Sequence, residues 1–290
     1  GLSQRASRRA FSARDHGGLT VLPTEIKNQI NAVWNDFWSG GISNPLEVME
    51  QLTFLLFIKR LDELHTLAER KAHRLGTEIE RPIFPAGNDP QGRPYEDLRW
   101  SRFKNCDAGE MFEIVDNHVF PFIRQLAEGA SYAKNMADSR LTIPSALLLR
   151  KAVDALDSVP MADRDTKGDV YEYMLSKIAT AGQNGQFRTP RHIIELMVEM
   201  IAPAATDTIC DPACGTAGFL VGAGEYIRKN HPEVLTDPAL SRHFHTEQFS
   251  GFDFDNTMLR IGSMNMILHG VNEPKIEYRD SLAEDSGDDA

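Results

Sequence analysis

The sequence has few cysteines and no long apolar run. Its three cysteines, Cys106, Cys210 and Cys214, are too few for a disulfide framework and favour a reducing compartment, the cytoplasm. The longest wholly apolar run, residues 54–58, is far shorter than the roughly 20 residues that cross a bilayer, which excludes a transmembrane chain. A charged and then apolar leader with a cleavage site is also lacking, which argues against secretion.

Positive charge is also scarce. The 290 residues contain 31 Lys and Arg against 42 Asp and Glu, a formal net charge of −11. Residues 1–160 have 20 basic against 21 acidic side chains, whereas residues 161–290 have 11 against 21. A protein that holds DNA by itself usually has a basic balance, so this composition excludes strong DNA binding by this chain alone.

Helical periodicity dominates the first half of the chain. Apolar residues recur at spacings of three and four over residues 24–38, which predicts a helix. Asn44 and Pro45 have the form of an N-cap followed by a proline at the first helical position, and they predict a second, largely buried helix over 45–70. Residues 76–108 are rich in Gly, Pro, Asp and Asn and predict a long loop.

Further helical patterns cover residues 109–129 and 144–156. The first 20 residues, with four arginines, three glycines and few large apolar groups, predict a disordered extension. We therefore predict a helical N-terminal domain over residues 21–160 and a second domain over 161–290.

In the second domain, short strands alternate with helices. A helix over 169–180 is followed by Thr189 as a predicted N-cap and Pro190 as the first residue of the next helix. The alternation then predicts strands over 206–210, 249–253 and 276–278 and helices over 216–229 and 256–269. This order is typical of a parallel sheet in an α/β domain.

A glycine-containing turn lies between the first strand and its helix, over residues 211–219. Gly215 and Gly218 allow the backbone to approach a ligand, and Asp211 at the strand end can bind an ammonium group. The spacing departs from G-x-G-x-x-G, which weakens a dinucleotide interpretation. A cationic sulfonium with an amino acid tail suits this acidic strand end better than a pyrophosphate does.

Two more carboxylates follow the next strands. Asp253 ends the second strand, where it can accept hydrogen bonds from ribose hydroxyls, and Asp255 is a candidate cap of the following helix. Asp280 follows the third strand and can accept a hydrogen bond from an adenine amino group, although by itself it also fits an ordinary turn aspartate.

Three separated motifs carry a resemblance to a known family. They are Gly185-Gln186-Phe187-Arg188-Thr189-Pro190-Arg191, the block 211–220, and the segment 251–270 that ends in Asn-Met-Ile-Leu-His-Gly. Over residues 24–283 the chain resembles the modification subunit of type I restriction-modification systems, which transfers a methyl group from S-adenosylmethionine to adenine N6 in DNA. The resemblance implies an N-terminal helical domain followed by the first part of a Rossmann-like methyltransferase fold (α plus α/β).

The resemblance also implies a cofactor site. Residues 186–191 would line the methionine end, Asp211 the ammonium, Asp253 the ribose and Asp280 the adenine amino group. The N-terminus of the helix after Thr189 would favour the cofactor carboxylate. The full set of implied cofactor residues is Gln186, Phe187, Arg188, Thr189, Pro190, Arg191, Asp211, Ala213, Gly215, Thr216, Ala217, Gly218, Asp253, Phe254, Asp280 and Ser281.

One family motif is absent from the 290 residues. The Asn-Pro-Pro-aromatic motif that holds the target amino group does not occur, and Asn272-Glu273-Pro274 lacks the second proline and precedes the third strand. We therefore expect the chain to be part of a longer polypeptide, with the catalytic residues after Ala290. The family implies duplex DNA with a flipped adenine, a specificity subunit, a restriction subunit and a second modification subunit as partners.

Two alternatives stay open at this point. The chain could be a non-catalytic module that binds cofactor and subunits, or part of a methyltransferase for another amide or amino substrate. A metal site is not expected. Cys210 and Cys214 have no second pair, and His231, His243 and His245 are interpreted as part of an ordinary loop.

Overall fold

A computed structural model of the chain describes residues 22–79, 81–127, 131–158, 164–180 and 189–283. The predicted extension over residues 1–20 and the candidate residues Gln186, Phe187 and Arg188 lie outside these ranges. Among the described residues, no helix has the length and apolar character that a membrane span requires.

Two helices open the described chain, α1 over Thr24–Ser39 and α2 over Pro45–Leu75. The Asn44 side chain accepts a hydrogen bond from the Leu46 N–H at 3.0 Å and Pro45 begins α2, which confirms the predicted cap. Residues 51–59 are all buried because apolar side chains occupy every side of this part of α2. The helix continues five residues beyond the predicted end and stops at Gly76, whose φ is +66°.

Shorter helices complete the N-terminal half. A π-helical segment, Val115–Val119, interrupts the predicted helix over 109–129, and short 3₁₀ turns occupy Tyr95–Leu98 and Ser131–Met136. The α-helices of this part are α3 Trp100–Phe103, α4 Ala108–Ile114, α5 Phe120–Ala127, α6 Ala146–Asp157 and α7 Arg164–Thr180.

A three-stranded parallel sheet forms the centre of the second half. Its strands lie in the order β1-β2-β3, so their carboxyl ends share one edge. This mostly helical chain with a parallel α/β part confirms the predicted fold class. The elements are α8 Arg191–Ile201, β1 Ile209–Asp211, α9 Gly218–Asn230, α10 Pro238–Thr246, β2 Phe249–Asp253, α11 Asn256–Leu268 and β3 Lys275–Tyr278, with a 3₁₀ turn at Pro232–Leu235.

Several local predictions are wrong, among them the loop over 76–108, which contains α3 and a 3₁₀ turn. Thr189 does not cap α8, because Pro190 takes an extended ψ of 140° and itself stands at the N-cap, so the helix begins at Arg191. Proline's fixed φ suits both helix and extended backbone, so the Thr-Pro pair alone does not decide the start. His243 and His245 lie in α10 and not in a loop, because Asp237 accepts hydrogen bonds from the first N–H groups of that helix.

Helix α11 connects the two halves of the molecule. Ile261, Met264 and Leu268 pack into the apolar core of the N-terminal helices, whereas Leu259 and Met266 pack into the core around the sheet. Helix α7 also packs its apolar side chains among the N-terminal helices. Because the apolar packing is continuous across residue 160, the division into domains over 21–160 and 161–290 stays a prediction.

Candidate functional site

The turn between β1 and α9 has an unusual backbone. Gly215 and Ala217 both have positive φ values, +52° and +61°. The left-handed region is ordinary for glycine but costs an alanine about 1 kcal/mol or more, so the surrounding contacts must hold Ala217 in place. The Ala217 side chain is fully buried beneath the turn. The Asp211 carboxylate accepts a hydrogen bond from the Ala213 N–H at 3.1 Å at the start of the turn.

Asp253 at the end of β2 fixes the same turn from the neighbouring strand. Its Oδ2 accepts a hydrogen bond from the Gly215 N–H at 3.0 Å, and its Oδ1 accepts one from the Asp255 N–H at 2.9 Å. Each carboxylate oxygen has a second lone pair, so Asp253 can still accept hydrogen bonds from a ligand. Asp255 caps α11 by accepting from the Thr257 N–H at 2.8 Å, as the sequence predicted.

These groups surround a cavity of about 410 Å³, a volume within the usual range for small-molecule sites. Eight of the predicted cofactor residues line it, namely Thr189, Asp211, Ala213, Gly215, Thr216, Gly218, Asp253 and Phe254. Five further lining residues were not among the predicted cofactor residues, namely Ile194, Cys214, Phe219, Asp255 and Met258. Phe254, which is 71% exposed, adds an aromatic ring to the lining.

The remaining described candidates do not line this cavity. Pro190 and Arg191 line a neighbouring cavity of about 420 Å³ between α7, α8 and α9. Ser281 donates a hydrogen bond to the Pro212 carbonyl at 2.6 Å and thereby ties the segment after β3 to the β1 turn. The Asp280 side chain accepts a hydrogen bond from the Leu282 N–H at 3.0 Å, the geometry of a turn aspartate.

Arg191 joins three helices. Its guanidinium lies 3.1 Å from Glu195, 3.4 Å from Asp169 on α7 and 3.1 Å from Glu225 on α9. Although burial opposes the charge, Glu225 and Asp169 raise the pKa of Arg191 above its ordinary value. In this structure its side chain therefore anchors the start of α8 to its neighbours.

The cavity has a negative electrostatic character. Burial raises the pKa of Asp211, and the nearby Asp253 raises it further, while the hydrogen bond from the Ala213 N–H opposes the shift. Burial and the same two carboxylates raise the pKa of the Cys214 thiol to about 12, so this thiol is neutral and is not an activated nucleophile. A cationic ligand group would relieve the repulsion between the two carboxylates.

Two glycines that sequence reasoning did not assign to the site allow its close packing. A Cβ on Gly251 would lie 2.8 Å from Ile276 Cδ1 and 2.9 Å from Cys214 Sγ. A Cβ on Gly262 in α11 would lie 2.9 Å from the Gly215 carbonyl oxygen. A glycine in the middle of an apolar helix was the available signal for Gly262, since such a residue usually has a packing reason.

A glycine turn after the first strand and carboxylates at the ends of successive parallel strands define the ligand site of a Rossmann-like α/β domain. Comparison with known families agrees with this class. Residues 26–156 match the family described as HsdM N-terminal domain, and residues 162–290 match the family described as N-6 DNA Methylase. The chain belongs to the family of type I restriction-modification methylase subunits.

Curated relatives support this assignment, and a solved structure has the same fold. The methylase subunit of the Escherichia coli type I restriction enzyme EcoEI is 27% identical over 81% of the chain, and that of EcoKI from strain K12 is 32% identical over 80%. The chain spans 47% and 41% of the length of these two relatives. It also superposes on a modification subunit of a putative type I restriction enzyme from Vibrio vulnificus YJ016.

That superposition has a TM-score of 0.70 at 23% identity and covers 89% of this chain and 56% of the other. At this identity the structural match shows the fold alone.

Proposed function

We propose that the chain binds S-adenosylmethionine in the cavity of about 410 Å³, and that its parent protein transfers the methyl group to adenine N6 in DNA. The observation that carries the proposal is the convergence of Asp211, Asp253 and the glycine turn on one cavity. Relatives that share both halves of the chain are named as methylase subunits, which supports the reaction class.

The chemistry of the lining residues fits the cofactor. The Asp211 carboxylate suits the ammonium and sulfonium cations, and the lone pairs of Asp253 that face no backbone N–H suit two ribose hydroxyls. The exposed ring of Phe254 suits contact with the adenine ring. Gly215 and Gly218 leave room for the backbone to lie against the ligand.

The other candidate residues have supporting roles in this proposal. Thr189, with residues 186–188, would lie at the methionine end, and Arg191 would hold the start of α8 in place for it. Asp280 would accept a hydrogen bond from the adenine amino group, while Ser281 fixes the same segment to the β1 turn. Pro190, Ala213, Thr216 and Ala217 would shape the backbone around the cofactor.

The transfer step belongs to the parent protein in this proposal. When bound, the cofactor supplies an electrophilic methyl group, and the target adenine must leave the DNA stack to reach it. The 290 residues contain no Asn-Pro-Pro-aromatic motif to hold the target amino group, so we expect cofactor binding without transfer. The parent would act with a specificity subunit, a restriction subunit and a second modification subunit.

Calorimetry with S-adenosylmethionine tests the cofactor site. Asp253→Ala removes the ribose acceptor and the contact to the Gly215 N–H, so we expect affinity to fall at least about tenfold. Asp237→Ala is the matched control, because Asp237 also accepts hydrogen bonds from two backbone N–H groups but caps α10 and does not line the cavity. Unchanged affinity in Asp253→Ala would overturn the site assignment.

A further inference from the structure

We propose that Asn265 in α11 is a positioning residue, which holds the cofactor turn in its binding conformation through the Thr216 carbonyl. The Asn265 side chain is fully buried. Its Nδ2 donates hydrogen bonds to the Thr216 carbonyl oxygen at 2.8 Å and to Glu172 Oε1 of α7 at 3.1 Å. This inference rests on the proposed function, because it concerns the same cofactor site.

The orientation of the Asn265 amide is fixed by its partners. Both contacts are acceptors, so a flipped amide would place its oxygen against two oxygens. In the orientation that results, Asn265 Oδ1 is buried and has no hydrogen-bond partner within the described parts of the chain. A buried acceptor left unpaired lowers stability, so its presence calls for an explanation, and the hydrogen bond from the same amide to the cofactor turn supplies one.

Helix α11 meets the turn at two consecutive carbonyls. Gly262, one helical turn before Asn265 and on the same face, allows the helix to approach the Gly215 carbonyl oxygen, where a Cβ would lie at 2.9 Å. Asn265 then binds the next carbonyl, that of Thr216. The helix therefore supports the turn from below with one close approach and one hydrogen bond.

The hydrogen bond acts at the point where the turn needs support. Thr216 lies between Gly215 and Ala217, the two residues of this turn with positive φ. The donor from Asn265 fixes the direction of the Thr216 carbonyl and with it the plane of the peptide that leads into Ala217. Because Thr216 and Gly218 both line the cavity, a rotation of this peptide would change the cavity wall.

A pair of leucine variants tests the inference. Asn265→Leu has a similar volume and no donor, so we expect amide hydrogen exchange over residues 214–218 to accelerate and the Kd for S-adenosylmethionine to rise about tenfold. Asn135→Leu is the matched control, because Asn135 Nδ2 also binds Ser263 of α11 and the Ile276 carbonyl, each at 2.8 Å, without contacting the turn. We expect that control to lower Tm and to leave Kd within about twofold.

A pH profile distinguishes positioning from a purely structural role. In Asn265→Asp an ionised carboxylate faces Glu172 and the Thr216 carbonyl, and only protonation supplies a donor. We therefore expect the Kd of this variant, divided by that of the unchanged chain, to decrease as the pH falls. In the double variant with Glu172→Gln, the new amide on α7 donates a hydrogen bond to the new carboxylate on α11. This restores the contact between the two helices but not the hydrogen bond to the Thr216 carbonyl.

The double variant should therefore regain Tm without regaining affinity. Full recovery of affinity in the double variant would overturn the inference, and so would unchanged exchange of the turn amides in Asn265→Leu. Absence of S-adenosylmethionine binding by the unchanged chain would instead defeat the proposed function. In that case the exchange measurement still decides whether Asn265 holds the turn.

Discussion

At the scale of single residues, Asp211 lowers the stability of the folded chain but provides a negative charge for the proposed cofactor site. Its pKa is raised by burial and by Asp253, so folding disfavours its ionised form relative to the unfolded chain. When folding raises the pKa of a carboxyl group, the folded chain becomes less stable as the pH rises from the unfolded-state pKa to the folded-state pKa. The carboxylate therefore destabilises the chain without cofactor, as expected for a residue whose role is to bind a cation.

Replacing this carboxylate by its neutral isostere should separate the two effects. Asp211→Asn keeps an oxygen that can accept from the Ala213 N–H but removes the half-buried charge. We expect the Tm of the cofactor-free chain to rise at neutral pH and the affinity for S-adenosylmethionine to fall about tenfold. Thermal unfolding and calorimetry check the two halves, and a variant that loses both stability and affinity would contradict the explanation.

The same group predicts a pH dependence of binding. A bound cation lowers the pKa of Asp211 from its raised value in the free chain, so protons compete with the cofactor as the pH falls. Affinity should therefore decrease as the pH falls below the raised pKa of Asp211, and Asp211→Asn should flatten this profile. Calorimetry over a series of acidic pH values measures it, and affinity that rises on acidification would disprove the linkage.

At the scale of secondary structure elements, local signals predicted the boundaries of some elements well, as where a pair of neighbouring residues sets the start of a helix. Asn44 and Pro45 begin α2 as the sequence indicates, and β2 has the predicted bounds. The same type of signal, Asp237 followed by Pro238, begins α10, where the histidines had suggested a loop. At Pro190 the signal is ambiguous, because proline's fixed φ permits both helix and extended backbone.

The contacts behind the site could not be predicted in the same way. Asn265 and Thr216 are 49 residues apart in sequence, and their hydrogen bond depends on how α11 packs under the turn. Strand-end carboxylates are different, because a parallel sheet places Asp211 and Asp253 at one edge whatever the packing details. The sequence therefore predicts the groups that face the ligand better than the groups that hold them in place.

The packing of α7 on α11 gives a prediction for Gly168. A Cβ at this position would lie 2.5 Å from His269 Nε2, and burial lowers the pKa of His269 to about 4, so a neutral ring fills the space. Its Nδ1 lies 2.8 Å from the Asn265 carbonyl, which limits how far the ring can move. We expect Gly168→Ala to destabilise the chain by about 1–3 kcal/mol in urea unfolding.

A second glycine variant provides the comparison for this prediction. Gly109 lies in the first turn of α4, where a Cβ would meet only Asp107 Oδ1 at 3.3 Å. Gly109→Ala gains helix propensity without such a clash, so we expect the free energy of unfolding of this variant to be unchanged or higher. Equal effects of the two substitutions would show that the contact with His269 does not matter.

At the scale of the whole molecule, the charge distribution agrees with a subunit that depends on partners. Residues 161–290, which contain the candidate cofactor site, have 11 basic against 21 acidic side chains, so this part repels a polyanion. A deficit of this size does not prevent the proposed binding of a small cationic cofactor, because Asp211 and Asp253 would attract it. In the proposed function, DNA contact would then come mainly from basic surfaces outside these residues.

Binding and transfer should therefore separate in this chain. With S-adenosylmethionine labelled in its methyl group and adenine-containing duplex DNA, we expect the 290 residues to bind the cofactor without forming N6-methyladenine. The reason is chemical, because no Asn-Pro-Pro-aromatic motif in this sequence can hold the target amino group toward the methyl carbon. The parent protein with its specificity subunit is the positive control in the same assay. Labelled N6-methyladenine formed by the chain alone would mean that other residues, among those around the cavity, perform the transfer.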